Sequence, residues 1–234
     1  MALILNIETS TQVCSVSIAL NGRTEAIKES HTKNSHAELL TIFAQQLISD
    51  LGYEFKDLDA VSVSKGPGSY TGLRIGVSTA KGLCYSLDKP LIAITTLEAM
   101  AAGMIQKTKN TDISNTVFCP MIDARRMEVY SALYSADLSM MRKIKAEIID
   151  GDSFAHALEK HKIVFGGDGA AKCKEVLSNN TNAVFLDDFL PSSQYMSQLA
   201  ETKFAEKDFE DLAYFEPFYL KDFIAGKPRV KGLR

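Results

Sequence analysis

Long apolar runs are missing from this sequence. None of the 234 residues falls in a stretch of eighteen consecutive apolar side chains, so nothing reads as a membrane span. The opening MALILNIETS has no basic lead and carries Glu8 inside its apolar run, which is not the pattern of a secretory signal. Cysteine is scarce. Cys14, Cys84, Cys119 and Cys173 stand far apart with no C-x-x-C pair, so they read as reduced thiols in a cytoplasmic protein. Histidine is scarce too. His31 and His36 are five apart, as are His156 and His161, and neither makes the i, i+4 pair of a helical metal site. No metal is therefore expected. No serine stands in G-x-S-x-G, and no cysteine sits beside a recognisable base.

An excess of basic charge is also lacking, except at one end. The last eight residues, KPRVKGLR, hold four basic side chains and no acidic one, which leaves 22 basic against 29 acidic elsewhere. Such an acidic body is a poor independent binder of nucleic acid. The basic tail is either a solvated end or a contact for a phosphate backbone.

What is present is a sizeable core, at 46% hydrophobic residues. LILNIET (3–9), VCSVSIAL (13–20) and TEAIKES (24–30) read as strands, and Asn21-Gly22 between the last two is a hairpin signal. A helix is expected over 35–51, with Ser35 and Glu38 as a capping box and Gly52 as its stop. A strand at 59–64, a helix at 71–87, a strand LIAIT and a helix at 97–107 follow. Polar residues 107–115 suggest a boundary. Beyond it VFCPMID, MEVYSALYS, AEIID, KIVFGG and AVFLDD read as strands, with helices near 153–161, 170–179 and 192–207. The order is mixed α/β, with crossovers through helices.

SKGPGSYTGLRIGVSTAKGL (64–83) looks at first like a phosphate loop. It fits no Walker A pattern, because Lys81 is followed by Gly82. It is not G-x-G-x-x-G either, because Thr71 stands where the third glycine belongs. Pro67 also removes a backbone N–H from any cradle. Helical spacing gives another reading. Gly72, Gly76 and Ala80 form one ridge, flanked by Leu73 and Val77, with Arg74, Lys81 and Tyr85 opposite. Three helical glycines cost on the order of 3 kcal/mol, and close approach of another backbone would offset that. The approaching backbone belongs either to this chain or to another. On the preceding helix, Ala37, Leu40, Ala44, Leu47, Ile48 and Leu51 share an arc of about 100° that suits a core. Leu39, Ile42 and Phe43 lie outside it. Leaving Leu39 or Phe43 in water forgoes roughly 1.5–3 kcal/mol, which points either to a protein–protein surface or to a second covering element. Three turns have a nucleotide character: IETST (Glu8, Thr9, Ser10), MIDARRMEVY with Asp123, and FGGDGA with Gly167 and Gly169. Each also reads as an ordinary turn or helix start.

ILNIETSTQVCSVSI, SHAELL, SKGPGSYTGLRIGVSTAKGL, ITTLEAMA, DARRMEVY and PFYLKD stand in the order seen in the TsaB (YeaZ) family of bacterial tRNA threonylcarbamoyladenosine biosynthesis proteins. The resemblance covers nearly the whole chain, and GPGSYTGLR is its most specific part. It implies an α/β, actin-like ATPase (sugar kinase/Hsp70) fold of two lobes, each a mixed sheet flanked by helices. The expected division is 1–106, carrying the partner-binding helices, and 107–234, whose last segment packs back on the first lobe. The implied role is a non-catalytic subunit that binds TsaD in a heterodimer, with TsaE as a third member, and also pairs with itself. TsaD transfers threonylcarbamoyl to the adenosine next to the anticodon, so tRNA would be met only through the complex. His36, Leu39, Leu40, Phe43, Gly72, Leu73, Arg74, Gly76, Val77 and Ala80 are the implied interface. Glu8, Thr9, Ser10, Asp123, Gly167 and Gly169 would line a degenerate nucleotide cleft. No intrinsic cofactor is implied, though ATP or ADP could sit at the partner junction. TsaD-like proteins carry H-x-x-x-H on the first helix, where this chain has His36 alone. Active sugar kinases carry Asp where this chain has Glu8. The competing reading is an active small kinase or ATPase of the same fold.

Overall fold

The computed structural model describes residues 2–32, 35–108 and 113–221. Part of the expected boundary at 107–115, and the whole basic tail, lie outside them.

Two five-stranded sheets repeat one topology. The first comprises β1 (Leu3–Glu8), β2 (Cys14–Leu20), β3 (Arg23–Ser30), β4 (Ala60–Gly66) and β5 (Leu91–Thr95), in the order β3-β2-β1-β4-β5. The second comprises β6 (Thr116–Asp123), β7 (Glu128–Tyr134), β8 (Met140–Ile148), β9 (Lys162–Gly166) and β10 (Ala183–Leu186), in the order β10-β9-β6-β7-β8. In each, three antiparallel strands are extended by two parallel ones. The parallel strands need crossovers, which helices supply.

Helix α1 (His36–Asp50) follows β3, α2 (Tyr70–Leu87) joins β4 to β5, and α3 (Thr96–Thr108) leads to the second sheet. There α4 (Ala155–Leu158) precedes β9 and α5 (Asp168–Leu177) joins β9 to β10; α6 (Ser197–Glu206) returns to the first sheet. The period-2 alternation of β1, β2 and β4 sorts their side chains. Leu3, Leu5, Ile7, Val16, Ile18, Val61 and Val63 pack with Leu40, Ala44, Leu47 and Val77 of α1 and α2. The opposite face carries small polar residues. Asn6 is bonded by the Ser62 hydroxyl and donates to Ser17 and Ser197, while Ser15 Oγ meets Ser193. These bonds seat α6 and the 3-10 turn 193–196 on the first sheet. A third body of side chains, including Ile92, Met100, Met104, Phe118, Tyr134 and Phe189, joins the two sheets around α3.

One helix end and one helix length differ from expectation, and one helix end agrees. Ser35 does not cap α1; its hydroxyl donates to the Thr32 carbonyl, so no capping box forms with Glu38. Gly52 (φ +75°) does end α1, with Tyr53 N–H donating to Ile48 O and Gly52 N–H to Ser49 O. The helix expected at 153–161 is a single turn, Ala155–Leu158. Among the described residues no helix is long and apolar enough to cross a membrane.

Candidate functional site

The turn after β1 is closed by α2. A Cβ on Gly72 would lie 2.1 Å from the Thr9 carbonyl oxygen, and one on Gly76 2.2 Å from Thr9 Oγ1. Thr9 Oγ1 donates to Gly72 O at 2.9 Å. Gly68 stands equally close to Ser10, and Ser69 N–H donates to Ser10 O at 2.6 Å. Ser69 also caps α2, its hydroxyl accepting from Gly72 N–H. The glycine ridge thus serves a close approach within this chain. It faces inward, onto the turn after β1.

Glu8, Thr9 and Ser10 are fully buried. Glu8 Oε1 accepts from Ser10 N–H at 2.6 Å and from the Ser64 hydroxyl at 3.0 Å. Among the described residues, Glu8 Oε2 and Ser10 Oγ have no hydrogen-bond partner. Burial pushes the Glu8 carboxyl above its ordinary range, against the opposing pull of those bonds.

The second sheet carries the matching turn. Gly167 (φ +115°) and Gly169 lie against the end of β6. A Cβ on Gly167 would meet Met121 O at 2.1 Å, and one on Gly169 would meet Ile122 C at 2.8 Å. Asp168 accepts from Asp123 N–H at 3.1 Å, and burial raises its carboxyl too. Lys172 ties the turn by donating to Asp123 Oδ1 and Glu128 O. Asp123 is exposed and its carboxylate is engaged by Lys172 of α5. Among the described residues no group of three or more His, Cys, Asp or Glu is placed to hold a metal. Burial pushes the Cys14 and Cys84 thiols up to about 11, which makes them poor nucleophiles.

The family described as TsaD, tRNA N6-adenosine threonylcarbamoyltransferase, matches residues 23–227. The tRNA threonylcarbamoyladenosine biosynthesis protein TsaB of Escherichia coli K12 is 30% identical over 232 residues, covering 96% of each chain. That of Haemophilus influenzae is 25% identical, covering 96% of this chain and 95% of its own. The chain belongs to the TsaB family. Among solved structures, YeaZ from Pseudomonas aeruginosa superposes with a TM-score of 0.75 at 23% identity, covering 94% of this chain and 100% of that one. An activator of 2-hydroxyisocaproyl-CoA dehydratase from Clostridium difficile, solved with bound ADPNP, gives 0.51 at 10% identity, covering 89% and 98%. The fold is the actin-like ATPase fold.

Within this TsaB-family chain the implied interface residues separate into two sets. Leu40, Gly72, Leu73, Gly76, Val77 and Ala80 are buried in the chain's own packing. His36 is buried as well, its Nε2 3.0 Å from Thr11 O. Leu39 and Phe43 are half-buried against the same core, while Arg74 is exposed. Ile42, set outside the core arc by its wheel position, is 45% exposed. Sequence reasoning assigned no contact to Tyr70 or Tyr219. The Arg74 guanidinium lies 4.4 Å over the Tyr70 ring, its Nε donates to Tyr219 Oη at 3.3 Å, and the two rings are 4.9 Å apart. Tyr219 belongs to PFYLKD, whose family likeness was the only signal for it.

Proposed function

We propose that this chain serves tRNA threonylcarbamoyladenosine biosynthesis, in the cytoplasm, as a subunit without chemistry of its own. It binds TsaD and enables it, with TsaE as a third member. TsaD then modifies the adenosine next to the anticodon in tRNAs reading codons that begin with A, and tRNA is met through the complex. Whole-length similarity to proteins named for that pathway supports the role. The subunit reading is carried by one observation. Glu8, which would have to meet phosphate or magnesium in an active kinase of this fold, is fully buried and bonded to Ser10 and Ser64. The chain's own backbone fills the space before Thr9 and Ser10.

Docking runs through the outward sides of α1 and α2, at Leu39, Ile42, Phe43 and Arg74, and the same face serves self-pairing. The chain holds no cofactor by itself; ATP or ADP belongs to the junction with the partner. The expected division into lobes, 1–106 and 107–234, gives the first lobe this docking role.

Reconstitution tests the reading. TsaC (which makes threonylcarbamoyl-AMP), TsaD, TsaE and tRNA are combined with and without this chain, and threonylcarbamoyladenosine is counted by mass spectrometry. Product is expected only with the chain, and Ile42→Asp is expected to lower it. Product indifferent to the chain overturns the proposal. ATP turnover by the isolated chain would instead favour an active small kinase or ATPase.

A further inference from the structure

Building on that docking reading, we infer that segment 210–221 forms a second wall of the docking surface, and that Arg74, held by it, receives a carboxylate side chain of the partner protein.

The segment is a built strap. Glu210 N–H donates to Leu91 O at 2.9 Å and Phe218 N–H to Lys65 O at 2.7 Å. Lys81 Nζ donates to the carbonyls of Ala213 and Phe215 at 3.2 and 3.0 Å. Gly66 exists for this contact, since a Cβ there would stand 2.5 Å from Phe218 O. The strap ends on the second sheet, where Lys221 pairs with Glu128. It therefore lies over one flank of α2 and shares that helix's outer surface.

What the strap brings there is aromatic and leaves a cation facing outward. Tyr214 is 84% exposed and Phe218 40%. Tyr219 and Tyr70 fix the Arg74 guanidinium through its face and its Nε. Its two terminal amino groups have no partner among the described residues. A planar fork with one edge fixed and the other open suits a carboxylate or a phosphate. Ordering it beforehand removes side-chain entropy that docking would otherwise cost. Aromatic residues and arginine are also the types enriched at interface centres. The surroundings favour the singly charged carboxylate. Glu216 lies within electrostatic reach of Arg74, and the body carries 29 acidic against 22 basic residues, so a phosphate is repelled more strongly.

Affinity for TsaD, measured by calorimetry on the full chain, tests this. Arg74→Ala should weaken binding about tenfold or more, as loss of an interfacial charge pair does, and Arg74→Lys should recover little of it. Tyr219→Phe keeps the ring and removes the hydroxyl. It should weaken binding by about threefold, the worth of one modest hydrogen bond, and should do nothing further in the Arg74→Ala background. Additive losses in the double variant would overturn the positioning role of Tyr219. Unchanged affinity in Arg74→Ala overturns the inference while the docking reading stands. Unchanged affinity together with weaker tRNA retention by the assembled complex would assign Arg74 to phosphate. If the unaltered chain does not bind TsaD, the docking reading fails first and takes this inference with it.

Discussion

The two sheets each present a glycine-bearing turn that follows a parallel strand and opens a helix. In the first, Gly68, Gly72 and Gly76 let α2 press onto Thr9 and Ser10. In the second, Gly167 and Gly169 let α5 press onto Met121 and Ile122. Both resemble phosphate loops in sequence, and both use their glycines to bring a helix against the end of a central strand. They differ in what the helix does next. α5 is a ten-residue crossover that turns Ala171, Lys174 and Glu175 outward, whereas α2 runs eighteen residues and turns Arg74, Ser78 and Tyr85 outward. The same local device therefore supports a short crossover in one half and a longer one, with an arginine and a tyrosine on its outer side, in the other.

Gly76→Leu should break that equivalence most severely. Even its Cβ would stand 2.2 Å from Thr9 Oγ1, so the turn or the helix must move. We expect a cost of at least about 3 kcal/mol, a large share of a typical 5–15 kcal/mol stability, read as a lower urea midpoint. Loss of TsaD binding in this variant would report unfolding, not docking. Gly169→Ala is the matching change in the second half. Its nearest contact is longer, 2.8 Å to Ile122 C, and about 1–3 kcal/mol is expected. A loss equal to that of Gly76→Leu would mean that the second turn tolerates less adjustment than its spacing suggests.

The buried carboxylates compare the turns in a second way. Glu8 and Asp168 are both raised by burial, Glu8 being fully enclosed and Asp168 only partly. Between its ordinary and its raised value such a carboxyl is neutral in the fold while the unfolded chain is already ionised. Its contribution is complete below the ordinary value of 4.5 and is lost as pH climbs through the folded value. Glu8→Gln should therefore raise the melting temperature at pH 7, with the gain shrinking toward pH 4. Asp168→Asn should gain less. Equal melting of Glu8→Gln and the parent at all pH values would refute a raised Glu8 carboxyl.

Much of this was legible in the sequence. Alternating Leu, Ile and Val placed β1 and β2, and Asn21-Gly22 supplied the two positive φ values of the β2–β3 hairpin. The apolar arc of α1 gave the inward face at Leu40, Ala44, Leu47 and Ile48 but wrongly included Ala37, which stands exposed in the first turn, and the wheel of α2 placed Leu73 and Val77 inward. The direction of the glycine ridge was not legible, because a small-residue ridge looks the same whichever backbone it meets. The strand AEIID was read too short. β8 begins at Met140 because β7 supplies its ladder, and its exposed lysines carry no apolar pattern. The Arg74 cluster left no local trace, since Tyr219 is 145 positions away.

Gly82 sharpens the comparison most gently, because it is the one glycine of α2 that the fold does not explain. It sits in the last third of the helix, is exposed, and a Cβ there would meet nothing within 4 Å. In the free chain Gly82→Ala should stabilise by up to about 1 kcal/mol, the helix-propensity difference, opposite in sign to any substitution at Gly76. The helix therefore gives up stability at Gly82 without a return from its own packing. If docking is what the absent side chain serves, the more stable variant should bind TsaD less tightly than the parent. A variant both more stable and equally tight would detach Gly82 from the docking face and leave that face to Ile42, Arg74 and the strap.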